Sequence, residues 1–600
     1  MFDEFRIQIG RKLGVTMSVL LMLGLFGCDQ SLQDMKDPSS GADSKSASSE
    51  DSDTDTASVP ISDTSSMTDN SQSQDSGKNT SSTDDVIDVG DTQIGDVTGG
   101  DSAPVEVDTS VPSESEDPSG SEITVQEPET PAQPGTCDCA KVTMPNTPPF
   151  ETGVRPLASV PEKTNIVNVS TTAALIDAIN QASDEQTIVV APGTYTPGSV
   201  TLAADSVTLM SDTGDGVTFA GDTQLILDGL NAHVFGITFF EGGTSSAEPG
   251  AAIVVNGDDA HIDRVTLLNW GANQDGWILG INVDRFANDV EISDCHFDHH
   301  KGIAIRQSKS WAADFVPGKR LWIHHNFFDT NVRVGPGGEA LHLGTGYSSA
   351  QAEPGPAGAD FDDRYRAVFE YNHVLHYEAE FELISLKSSQ NTIRYNFMEN
   401  NGKAAIVVRM GQENMIYSNW FTGVQYAAVR VSGERNIIAY NVASRGAEYV
   451  GKNANSGFVN LHNEHPYYDA DFTGTRRDDL ANAYWAANQT QVAHNIMSGF
   501  PSLISMNNSP STSITSFPDG VRAQENVLIS GSQFFFDGGV PDRATFLSTN
   551  NLVDNHLLDA LGEMPDGTSL PIDQSFSIDS SGQALTPPTW LSSAVCQSCE

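Results

Sequence analysis

Asn391-Thr-Ile-Arg-Tyr-Asn396, Asn414-Met-Ile-Tyr-Ser-Asn419 and Asn436-Ile-Ile-Ala-Tyr-Asn441 are three versions of one six-residue phrase. They begin 23 and then 22 residues apart (391 to 414, 414 to 436). A period in that range signals a solenoid built from stacked units. Each phrase is too short for a helix and carries alternating apolar residues, so each reads as a short strand closed by Asn turns. Strands of this length at this period predict an all-β fold, a right-handed parallel β-helix. Each coil buries its inward residues only against the next coil. The recurring Asn side chains are expected to stack along the axis and satisfy buried turn groups, which is a structural role.

The same pattern extends outward from about Asn165 to Phe536. His324-His-Asn326-Phe-Phe and Tyr371-Asn372-His373 read as earlier rungs, and Ala493-His-Asn495-Ile as a later one. Ala173 to Ala182 reads as a helix with Thr172 as its N-cap. It would cover the open end of the solenoid, where unpaired strand edges invite aggregation. Two insertions, Tyr347 to Asp363 and His462 to Ala486, interrupt the coils. Long loops on a solenoid tend to build its binding face. Residues 537–600 lose the period and read as a C-terminal cap or tail.

The N-terminal region has a different character. Arg6, Arg11 and Lys12 precede an apolar run from Leu13 to Phe26, too short to span a membrane comfortably. Leu25-Phe26-Gly27-Cys28 resembles a lipobox. Residues 1–28 are therefore expected to be a lipoprotein signal, with Cys28 as the lipidated residue anchoring the chain to a membrane. The alternative is an ordinary cleaved signal. Residues 29–136 hold about two dozen acids against Lys36, Lys45 and Lys78, with almost no aromatics. Such a segment cannot bury enough apolar surface to order itself. It reads as a disordered tether reaching on the order of 55 Å. Much of the formal net charge of -49 belongs to it. No nucleic-acid partner is expected. The implied address is the bacterial cell envelope, periplasmic or outer surface, with the chain a monomer or a dimer.

Of six cysteines, Cys137 and Cys139 open the folded region, 137–536, while Cys596 and Cys599 close the chain. In an oxidising envelope these four are disulfide candidates, with connectivity open. A four-thiolate zinc site is the alternative. Cys295 is left over and reads as a small buried residue. His299 and His300 beside Asp298 read as packing or turn filling rather than ligation, since neighbouring strand residues point to opposite faces.

The chemistry-bearing stretch is Glu380-Phe-Glu382-Leu-Ile-Ser-Leu-Lys387, followed by Arg409-Met-Gly411. Glu380 and Glu382 alternate and are expected to share one strand face. Two acids, an amine and a guanidinium can bind a cation, take a proton and neutralise a carboxylate. That combination suits cleavage of an acidic polysaccharide by elimination. A solvent-facing salt-bridge ladder is the bland alternative.

Glu380-x-Glu382-x4-Lys387-Ser388, with Asn391, Arg394, Asn396, Arg409-x-Gly411, Asn419, Phe421 and Gly423, resembles family 6 of the polysaccharide lyases. That family holds alginate lyases and chondroitinase B on a pectin-lyase-like solenoid. Pro192-Gly-Thr-Tyr195, Gly337-Gly338-Glu339 with Gly344, and Val429-Arg430-Val431-x-Gly433 extend the resemblance over about residues 165–510. The resemblance implies Lys387 as base with Arg409 beside it, and Glu380 and Glu382 as calcium ligands, with Glu339 as a substitute ligand. It implies substrate contacts from Arg430, His342 and Arg394. Three positions depart from the family pattern: Pro336 replaces an Asn ligand, His342 an Arg, and Met410 a His.

Elimination removes the C5 proton beside a uronate carboxylate and expels the 4-linked oxygen. Its anionic intermediate needs charge stabilisation from a hard cation or an Arg. The expectation is thus a calcium-assisted lyase on alginate or a glycosaminoglycan. The alternatives are a non-catalytic glycan-binding lipoprotein and a uronate C5-epimerase on the same scaffold. Hydrolysis ranks last, because it needs two acids facing each other across a cleft.

Overall fold

The computed structural model describes residues 141–596, apart from 244–249, 272–277, 309–317, 332–336, 345–363, 410, 451–455, 463–485, 507–516, 537–542, 560–561, 565–569, 572–574 and 578–583. Cys28, the acidic tether, Cys137, Cys139, Cys599, Pro336, Met410 and nearly all of both long insertions lie outside the described residues.

Each rung turns through three strands, and like strands stack in parallel on successive rungs. The result is three long sheets of 14, 12 and 13 strands. One rung shows the scheme. Glu382–Lys387 lies in the 12-stranded sheet, Thr392–Arg394 in the 14-stranded sheet and Phe397–Glu399 in the 13-stranded sheet. Ala405–Val408 then pairs with Glu382–Lys387 to begin the next rung. Alternation sets what each strand buries. In the 12-stranded sheet Ile305, Leu341, Ile384, Ile406 and Val429 sit in register and are fully buried. Burying each such side chain contributes about 1.5–3 kcal/mol.

The turn between the 14- and 13-stranded sheets explains the Asn period. Tyr395, Ser418 and Tyr440 adopt a left-handed backbone, and the Asn that follows each turns inward. Asn326, Asn372, Asn396, Asn419, Asn441, Asn495 and Asn526 are fully buried. Each Nδ2 donates to the Oδ1 of the next Asn, at 2.8–3.1 Å, as far as Asn555. Those bonds hold non-glycine residues in a conformation that costs roughly 1–2 kcal/mol alone. Cys295 occupies the same turn position one rung earlier, where its N–H donates to Asn326 Oδ1. It is a free, buried thiol. A second ladder runs through Asn391, Asn414 and Asn436.

The helix spans Thr172–Asn180, with Thr171 as its cap through a bond from the Ala174 N–H. Three consecutive hydroxyl or turn residues, Ser170-Thr171-Thr172, made the start ambiguous by one position. The ladder runs beyond Phe536 to Asn551–Val553 and His556–Leu558. Residues Lys141 and Val142 bridge to Glu563 and Cys596, and Cys596 is disulfide-bonded. Among the described residues no helix is long and apolar enough to cross a membrane.

Candidate active site

The outer face of the 12-stranded sheet carries the chemistry. Ser385 and Lys387 alternate outward from Ile384 and Leu386, which point into the core. Glu382 would face inward by strict alternation. A β-bulge prevents this: Glu382 pairs with Ala405 while Ile384 pairs with Ile406, leaving Leu383 as the extra residue. Leu383 joins the core and Glu382 returns to the outer face beside Ser385, whose Oγ donates to Glu382 Oε2 at 2.6 Å. Bulges commonly re-aim side chains in this way. Glu380 precedes the strand instead of sharing its face. Its Oε2 accepts the backbone N–H groups of Gly337 and Gly338, the latter at 3.1 Å.

Glu382 gathers both expected cations. Arg409 Nη1 donates to Glu382 Oε1 at 3.4 Å from the next rung. Burial pushes the Glu382 carboxyl up, but Lys387 and Arg409 together hold it below its ordinary value. Lys387 is only 6% exposed. Burial pulls its amine below the ordinary lysine value, Glu382 opposes this, and Arg409 adds to it. An amine shifted this way is a better base near neutrality than a solvated lysine.

His342, on the preceding rung, links Lys387 to Glu339. Its Nδ1 is 3.2 Å from Glu339 Oε1 and its Nε2 is 3.1 Å from Lys387 Nζ. Burial, with Lys387 and Arg306 nearby, holds the imidazole well below its ordinary pKa and therefore neutral. A carboxylate only accepts, so Nδ1 carries the proton and Nε2 accepts from the Lys387 amine. Glycines make room for this packing. A Cβ on Gly344, at φ +90°, would meet the Lys387 carbonyl oxygen at 2.4 Å. A Cβ on Gly411 would meet that of Ser388 at 1.9 Å, which accounts for the Arg-x-Gly spacing.

The other expected residues divide. Arg430 lies on the same sheet, in the register column Ser385, Val407, Arg430, about 10 Å along the axis from Ser385. Its guanidinium donates to His462 Nε2 at 3.2 Å. Arg394 is not part of the cluster. It lies on the 14-stranded sheet, bound to Glu370 Oε2 at 2.6 Å and to the Tyr417 hydroxyl at 2.9 Å. Sequence proximity to Lys387 misled, because the chain turns a corner at Asn391. Arg306 went unnoticed. It pairs in register with His342 and acts electrostatically on Glu339, while burial lowers its pKa. The alternating run Ile303-Ala-Ile-Arg306-Gln was its only signal.

The three carboxylates expected to hold calcium each have partners within the protein. Calcium takes about six to eight oxygen ligands. Here Glu380 is bound by two backbone N–H groups, Glu382 by Ser385 and Arg409, and Glu339 by His342. Pro336 offers no side-chain oxygen. Among the described residues, two groups of three ligating side chains converge within 4.8 Å, and neither contains Glu339, Glu380 or Glu382. Arg306 and Arg409 stand as cations near these carboxylates, and Lys387 adds a third when protonated. Arg409 is ion-paired with Glu382, while burial and the neighbouring Glu339 and Glu382 push the Glu380 carboxyl above its ordinary value.

Comparison with known proteins agrees with this architecture. The family described as right handed beta helix region matches residues 251–442. The solved structure of the PL6 family alginate lyase AlyGC is similar at a TM-score of 0.53 and 18% identity, over 72% of this chain and 59% of that one. The fold is that of the family 6 polysaccharide lyases. A mannuronic acid specific family 6 lyase from human gut microbiota matches at 0.51 and 16%, over 67% of this chain and 92% of its own. A PL6 alginate lyase in complex with a trisaccharide matches at 0.50 and 17%, over 71% and 92%. At these identities the likeness is one of fold. Comparison with curated proteins gave no match.

Proposed function

We propose that this chain is a polysaccharide lyase acting on a uronate-containing acidic polysaccharide, alginate or a glycosaminoglycan, by β-elimination. The observation carrying this reading is the buried Lys387 amine, held by His342 with Arg409 across Glu382. Lys387 in its neutral form takes the C5 proton, and its N–H bond forms as the C5–H bond breaks. Arg409 neutralises the uronate carboxylate, where negative charge develops, and losing such a donor typically costs about 10²–10³ in rate. The C4–O bond then breaks to give a C4–C5 double bond, and the expelled oxygen takes a proton from water. The new lysinium donates to His342, whose tautomer Glu339 fixes. Arg430, farther along the same face, meets a neighbouring sugar of an extended chain in this reading.

The test is purified protein with alginate and dermatan sulfate, with and without chelator, read as ultraviolet absorbance of the unsaturated product and as product mass. Elimination adds no water to the fragments, hydrolysis adds one, and epimerisation cuts nothing. Unsaturated fragments that persist in chelator and vanish in Lys387→Ala support the proposal. Failure to form them on any uronate polymer sinks it.

A further inference from the structure

A different cluster lies on the 14-stranded sheet, away from the lyase cluster's sheet. Val234 and Ile262 point into the core, so their strand neighbours face outward. Register places His233 beside His261, which lies beside Glu291, and Phe235 beside Asp263, which lies beside Ser293. The segment preceding the solenoid crosses this face. Arg155 binds Asp294, Arg264 donates to the carbonyls of Arg155 and Pro156, and Val160 packs on Val189, Met210 and Phe235. The histidines are therefore half-buried although they sit outside the coil.

His233, His261 and Asp263 each bring one ligating atom within 4.8 Å of the others. Two atoms of the group are left over by the protein's own bonding. His233 Nε2 and Asp263 Oδ1 are shielded from solvent and have no hydrogen-bond partner. The cation nearest that oxygen is Arg264 Nε, at 4.0 Å. Glu291 stands behind His261, with Oε1 3.1 Å from His261 Nε2, and it also meets His324 Nε2 at 3.0 Å. A carboxylate that holds a histidine in this way is the usual support of a metal-ligating imidazole.

We propose that His233, His261 and Asp263 form a binding site for a divalent transition metal of the zinc class, with Glu291 as the supporting carboxylate. Two imidazoles and a carboxylate suit zinc, cobalt or nickel, with water completing the shell. The two rings are stacked at 4.5 Å and 11°. Tetrahedral zinc holds its ligand atoms about 3.4 Å apart, so the rings must splay at their edges when the ion enters. Because His233 and His261 belong to successive rungs, the ion staples one coil to the next, beneath the crossing segment. The site is independent of the elimination chemistry.

The test uses the whole chain, stripped with chelator, dialysed and titrated with Co²⁺ and Zn²⁺. Wild type should bind one equivalent, show the visible absorption of tetrahedral Co²⁺ and melt at a higher temperature with Zn²⁺. His233→Gln and Asp263→Asn should lower the affinity more than tenfold and abolish the spectrum, with unchanged far-ultraviolet circular dichroism. A second group, His296, Asp298 and Asp329, offers the same ligand types. Binding that survives both substitutions but disappears in Asp298→Asn overturns the assignment. So does a wild-type chain that binds no Co²⁺.

Discussion

Lys387 Nζ stands 3.1 Å from His342 Nε2, across one rung of the 12-stranded sheet. The imidazole can accept only because Glu339 holds the proton on its other nitrogen. On the proposed mechanism this contact aims the amine, whereas the family resemblance implies a substrate contact from His342. His342→Ala should leave KM nearly unchanged and lower kcat by about 10²-fold, the usual penalty for an ångström of misplacement. Steady-state kinetics on the preferred polymer measures the split. A large rise in KM at constant kcat would assign His342 to substrate binding.

The pH dependence of kcat/KM carries a sign that two substitutions should separate. The proposed mechanism requires neutral Lys387, so on that mechanism the rate rises with pH through the lysine's lowered pKa. Glu382 favours the charged amine and Arg409 disfavours it. Glu382→Gln should therefore move the acidic limb to lower pH, and Arg409→Ala should move it to higher pH while also lowering the plateau. Shifts of the same sign in both variants would remove Lys387 as the titrating base.

How far the sequence could be read follows from which interactions repeat. The Asn turns were legible because one amide must meet the next on every rung, so the same residue type returns at each period. The site was legible in composition but not in geometry. The bulge at Leu383 leaves no trace in residue type, so Glu380 and Glu382 looked like partners on one face. Arg394 looked close to Lys387 because linear spacing does not show where a coil turns. Arg306 is separated from His342 by 36 positions (306 to 342), since rung lengths vary with the loops between strands. Only the stacked register joins them.

The Asn ladder should dominate the cost of single substitutions outside the apolar core. Asn419 accepts from the Asn396 N–H at 3.2 Å and its Nδ2 at 2.9 Å, and donates to Ile393 O and Asn441 Oδ1. Asn419→Ala strands several of these groups where water cannot reach. At about 1–3 kcal/mol for each unmet buried group, a loss on the order of 3 kcal/mol or more is expected. Urea denaturation measures it. A change below about 0.5 kcal/mol, ordinary for surface sites, would mean the ladder is ornamental.

His300 supplies a stability prediction independent of any activity. It is fully buried, its ring edge-on to Phe297, and burial pushes its pKa from 6.5 down to about 3, opposed only by the Gly302 backbone. In the unfolded chain the imidazole regains its ordinary value and binds a proton below it. Between pH 6.5 and about 3 the unfolded state therefore holds more protons than the folded state, and stability falls as the pH drops. The slope from one such group reaches about 1.4 kcal/mol per pH unit. Above the ordinary value the group contributes no pH dependence. His300→Leu keeps the apolar contacts and removes the titration, so its stability deficit relative to wild type should shrink, and then reverse, as the pH falls from 7 towards 4. Urea midpoints at the two pH values decide the matter. A constant difference between the proteins would show that His300 titrates alike in the folded and unfolded states and that other groups drive acid unfolding.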